Sequence, residues 1–162
     1  MMNLRVGLMN FDGDKPQKDE IIAVASKRWR AQKERAKKWG HFDFPPVEEY
    51  AERLLDNATR GFCCEYCGAH LVITADYPHT FVVSFDHKHP YALGGKPTMN
   101  NVAVCCCRCN LVKGTLTAET FVGILASLNI TLREKYLTES LRGQLANKIT
   151  RGKHIGLKAF EF

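Results

Sequence analysis

The chain has 162 residues, 45% of them hydrophobic and 25% charged, with a formal net charge of +6. That length suffices for one core with helical attachments, and no stretch approaches the roughly 20 apolar residues of a membrane span, so a soluble protein with no membrane partner is expected. The start, Met1 to Gly7, lacks a sustained apolar run followed by small residues. No secretory signal is therefore expected, and the cytoplasm is the expected compartment.

From Asp19 to Trp39, Ile21, Ile22, Ala25, Trp29 and Ala36 recur at helical spacing, and Gly40 follows where a helix would end. The other face carries Lys27, Arg28, Arg30, Lys33, Arg35, Lys37 and Lys38 against the single Glu34. A soluble helix can be this charged, but the imbalance exceeds what solubility requires and makes Arg28, Arg30, Lys33 and Lys37 candidate contacts for a polyanion. Trp29 and Trp39 are expected in the core. Pro45 and Pro46 break the chain, and Val47, Tyr50, Ala51, Leu54, Leu55 and Ala58 then predict a second helix closed by Gly61. Asp43, Glu48, Glu49, Glu52 and Asp56 make this segment acidic and confine the positive field, and a weaker basic excess lies between Arg133 and Lys158.

All seven cysteines fall in two clusters, Cys63, Cys64 and Cys67, then Cys105, Cys106, Cys107 and Cys109. A disulfide framework would spread them along a secreted chain, whereas two tight C-x2-C groups in an unsignalled one point to metal. Cys64, Cys67, Cys106 and Cys109 are the expected ligands of a structural Zn2+. Cys63, Cys105 and Cys107 are expected as buried small hydrophobes. Four thiolates leave zinc no open position for water, so the metal holds and other residues react.

Between the clusters, alternation from Thr80 to Asp86 predicts a strand, Gly94-Gly95 and Pro97 a loop, and Val102-Ala103-Val104 a short returning strand. A helix is predicted from the second C-x2-C group, Cys106 to Cys109, to Lys113, ended by Gly114. Another, capped by Thr117, buries Phe121, Ile124, Leu125 and Leu128, and a last one runs from about Arg133 to Ile149. The tail beyond Thr150 is expected to be flexible. The expected units are a helical extension over 1–60, a metal-pinned core over 61–116 and a helical region with tail over 117–162. Within the clamp stand Asp86, His87 and Asn101, with Asn110 directly after its last cysteine: hard oxygen ligands and an imidazole near neutral pH, as metal-assisted hydrolysis needs.

Here the chain resembles the HNH nucleases. The resemblance rests on Cys64-Glu65-Tyr66-Cys67-Gly68, Asp86-His87-Lys88-His89-Pro90, Gly94-Gly95, Asn101-Val102-Ala103-Val104, Cys106-Cys107-Arg108-Cys109-Asn110 and Lys113-Gly114. It covers about a third of the chain and implies an α+β fold, a zinc-clamped ββα-metal (His-Me finger) core flanked by N-terminal and C-terminal helices. It implies a DNA endonuclease in which Asp86 and Asn110 hold Mg2+ or Mn2+ and His87 is the general base. Asn101 would be the middle asparagine that fixes the loop and helps to orient His87. With asparagine at the third position this looks like the HNN subtype, leaving a 5′-phosphate and a 3′-hydroxyl.

Lys113 and Arg108 would face phosphate, or be ordinary solvated cations. His89 reads as an auxiliary ligand or a satisfied histidine, while His41, His70, His79 and His154 show no partner pattern. Two other readings stay open: a zinc module that binds nucleic acid without cutting, and a nuclease directed at RNA. A monomer would nick one strand, and a homodimer would cut both.

Overall fold

The computed structural model describes residues 16–73 and 81–150, those at 145–150 as helix backbone only. Helix α1 (Lys18–Lys38) and helix α2 (Val47–Thr59) come first, at the expected places. Trp29 is half-buried at their junction, where its ring meets Phe44 edge-on and its Nε1 donates to the Pro45 carbonyl over 2.8 Å. Trp39 departs from expectation: it lies beyond the last helical turn and is 55% exposed.

Strands β1 (Val83–His87) and β2 (Val102–Cys106) pair antiparallel, with Phe85 opposite Val104 and His87 opposite Val102. Both are buried throughout, because helices cover both faces. On one side the Phe85 ring meets Tyr50 of α2 edge-on at 4.9 Å. On the other lies helix α3 (Cys107–Lys113), which opens directly from β2 and completes a ββα unit. Helix α4 (Ala118–Ser127) follows, capped by the Thr117 hydroxyl as expected, and contributes Phe121 and Leu125 to the core. Helix α5 (Ile130–Thr150) starts three residues earlier than expected and packs on α3 through buried Leu137 and Leu141. The tail beyond Thr150, His79, His154 and the expected strand start at Thr80 lie outside the described residues. Among the described residues, no helix is long and apolar enough to cross a membrane.

The Phe85 carbonyl accepts from two side-chain amides, Gln32 Nε2 of α1 at 2.6 Å and Asn110 Nδ2 of α3 at 3.1 Å. Two helices thus satisfy one backbone group of a buried strand, which would otherwise be left unpaired. The hairpin loop is closed by Asn101. Its Oδ1 accepts from the His89 amide at 2.7 Å, and its Nδ2 donates to the His89 and Lys96 carbonyls, both at 2.9 Å.

That closure presses Gly95 against the backbone of His89 and Pro90, where a Cβ would overlap the His89 carbonyl oxygen. Gly95→Ala must reopen the loop, and steric overpacking of this kind costs about 1–3 kcal/mol or more. The urea midpoint of the variant is expected to fall accordingly; an unchanged midpoint would show that the loop yields freely.

Candidate functional site

The first knuckle is a tight turn in which the Gly68 amide donates to the Cys64 carbonyl at 2.9 Å. Gly68 takes φ +74°, a conformation that side chains disfavour. The second is the start of α3, where Cys106 caps the helix by accepting from the Cys109 amide at 3.3 Å. Together they place the sulfurs of Cys64, Cys67, Cys106 and Cys109 all within 4.8 Å of one another. Zinc–sulfur bonds of about 2.3 Å set the corners of a tetrahedron roughly 3.8 Å apart, so this quartet fits zinc. Hydrogen bonds from Cys106 and Cys109 hold the Cys67 thiol far below its ordinary value, while the bond with Cys106 pushes Cys109 up. Crowded thiols with unevenly held protons are readily converted into ligands for a cation. Of the three other cysteines only Cys105 is buried as expected; Cys63 and Cys107 are partly exposed.

Adjacent residues of a strand point to opposite faces, and at the end of β1 this separates Asp86 from His87. Asp86 turns toward α3 and the first knuckle. Its Oδ2 accepts from the Tyr66 hydroxyl at 2.6 Å and pairs with the Lys113 ammonium at 2.9 Å. Burial pushes the carboxyl pKa up, against the pull of Tyr66 and Lys113. Asn110 lies on the same β1–α3 seam one turn before Lys113. Its Nδ2 donates to Ser84 Oγ and the Phe85 carbonyl, which fixes the amide so that Oδ1 is the end left for a cation. A carboxylate and an amide oxygen on one seam are hard donors that suit Mg2+ or Mn2+.

His87 turns the other way. Its Nε2 lies 2.8 Å from the Tyr91 hydroxyl, and the Tyr91 ring also meets His41 at 5.0 Å between centroids. Burial, then the charges of Arg35, Lys113 and His41, push the imidazole pKa down to about 4, so it is uncharged at pH 7. Asn101 touches the loop backbone and not the His87 side chain. His89 is exposed, with its Nε2 2.8 Å from the Leu93 carbonyl oxygen, which gives it a local partner.

Two cations expected at phosphate are committed elsewhere. Lys113 is 1% exposed, and besides Asp86 it donates to the His87 carbonyl at 2.9 Å. Arg108 is buried in a two-pronged pair with Glu134 of α5 and lies over the Phe81 ring. A helix of two turns between a strand and another helix has little free face, so charge alone misjudged both. On α1, Lys37 pairs with Glu34 and Lys33 lies over the Trp29 ring, while Arg30 is exposed. Arg28 is half-buried, with Nη2 4.0 Å from Cys107 Sγ. Tyr66, Tyr91 and His41 are partners of the site that no motif marks in the sequence, although Tyr66 stands between the knuckle cysteines and Tyr91 four residues beyond His87.

The segment that builds both the sulfur quartet and the ββα unit, residues 64–116, matches the model of the HNH endonuclease family. The match spans about a third of the chain and points to a nuclease or nucleic-acid-binding role for this segment. No curated protein matches the chain.

Two outcomes follow. Protein purified under reducing conditions is expected to carry about one zinc per chain, and Cys106→Ser to carry almost none and to lose cooperative unfolding; full zinc in that variant would show the quartet misassigned. Lys113→Met leaves Asp86 buried without its partner and is expected to cost about 3–5 kcal/mol in urea unfolding. Pairing it with Asp86→Asn should recover much of that loss, and a purely additive double variant would deny the coupling.

Proposed function

We propose that the protein is a metal-dependent endonuclease that hydrolyses DNA phosphodiester bonds. The observation that carries this reading is a neutral, buried His87 at the end of β1, next in sequence to an Asp86 whose side chain faces the α3 seam with Asn110, all inside the HNH segment. In the tautomer whose Nε2–H donates to the Tyr91 oxygen, Nδ1 keeps the lone pair that takes a proton from the attacking water. Asp86 and Asn110 would hold Mg2+ or Mn2+. When bound, that cation supplies positive charge to the phosphate and the leaving oxygen. Asn101 acts on the loop and not on the reacting atoms. Cys64, Cys67, Cys106 and Cys109 would hold a structural zinc, which would fix the knuckle and with it Tyr66 at the Asp86 carboxylate.

The rival, a zinc module that grips nucleic acid without cutting it, draws on the Asp86–Lys113 pair. An ammonium at 2.9 Å already matches the charge that a divalent cation would use. DNA is preferred to RNA as substrate on the family resemblance, and parallel substrates decide between them.

Cleavage of supercoiled plasmid by the full chain, in Mg2+, Mn2+ or EDTA, tests the reading. Nicked or linear product is expected only with metal, reduced at least about a hundredfold in His87→Ala, as loss of a general base requires. Retained DNA binding with no cleavage in either metal would favour the rival; equal cleavage by both proteins would remove His87 from its role.

A further inference from the structure

Where α1 ends, the chain exposes two aromatic side chains that no packing requires. Trp39 is 55% and Phe42 80% exposed, in a segment otherwise rich in cations. Between that segment and the end of the hairpin loop lies a cleft of about 630 Å³. Its sheltered wall is apolar, formed by Phe44, Pro97 and Met99, and Phe42 stands on its rim. Two carboxylates, Asp43 and Glu49, also line it, with Lys96 across from them on the loop.

The cleft is continuous with the residues around His87. His41, on its wall, has its ring 5.0 Å from that of Tyr91, whose ring lies 4.2 Å from that of His87. Arg35 stands one turn beyond Gln32, whose amide bonds the Phe85 carbonyl, so this end of α1 is held against β1. Arg35 is exposed, with no carboxylate or hydrogen-bond partner among the described residues.

We infer that this corner is a groove for single-stranded DNA, in which unpaired bases beside the scissile phosphate stack on Trp39 and Phe42 and one base enters the cleft. Any base offers a flat face to an exposed aromatic ring, and each such stack contributes about 1–3 kcal/mol. The carboxylates keep phosphate out of the cleft and suit a base instead, since exocyclic amino groups donate to them. The backbone phosphates fall to Arg35 outside it and to Lys96 at its edge. The inference rests on the nuclease reading and deepens it: the substrate is opened DNA and not an undisturbed duplex.

The test uses the full chain, an oligodeoxycytidylate of about twelve nucleotides, within the span such grooves cover, and a blunt duplex of equal length, at pH 8 without Mg2+ or Mn2+. The single strand is expected to quench tryptophan fluorescence and to bind more tightly than the duplex. Trp39→Phe should abolish the quenching, because the remaining Trp29 is half-buried against Phe44 with Lys33 over its ring, and Phe42→Ala should weaken binding about tenfold. Either variant behaving like the native protein, or a preference for duplex, overturns the inference. Plasmid cleavage run alongside separates the two claims. Cutting without quenching removes the groove and keeps the nuclease; quenching without cutting does the reverse.

Discussion

Two strands of five residues each cannot stand as a sheet in water, since an isolated hairpin is marginal at best. Here the base of the hairpin is gathered by four sulfurs drawn from a turn before β1 and from the junction of β2 with α3. Because Cys106 both ends β2 and caps α3, the sulfur quartet also sets where the helix leaves the sheet. From that angle follows the β1–α3 seam, and from the seam the positions of Asn110 and Lys113 against Ser84, Phe85 and Asp86. The outer helices then cover what the small unit cannot bury by itself.

Much of this is legible in the residues. Helical periodicity, Pro45-Pro46 and the glycines gave α1 and α2 nearly their full lengths, and the C-x2-C spacing identified the four sulfurs that converge. What stayed hidden depends on which way a side chain faces after packing. Lys113 and Arg108 look like surface cations on a short helix, yet neighbours distant in sequence, Asp86 and Glu134, take them into the interior. Trp39 looks like the last member of an apolar stripe, but the helix stops before its ring can turn inward. Asp86 and His87 read as one adjacent pair, while the alternation of the strand sends them to opposite sides.

The two sides differ in electrostatics as well as direction. On the α3 side a carboxylate, a phenol and an ammonium form a closed buried group, in which removal of one member leaves another unmatched. On the α1 side the imidazole meets a phenol and several positive charges, so its uncharged form is the stable one. A single strand can present both because its two faces are served by different helices. The backbone links them: Lys113 donates to the carbonyl of His87 while pairing with Asp86.

Tyr66 stands within the turn that supplies Cys64 and Cys67, and its hydroxyl ends on Asp86. Sulfur chemistry and carboxylate geometry therefore share one short piece of chain. Oxidising the thiols, or replacing the ion with one that prefers another coordination shape, would move the phenol along with the turn. In this protein a change at the sulfurs would register at a carboxylate that carries no sulfur and takes part in no redox step.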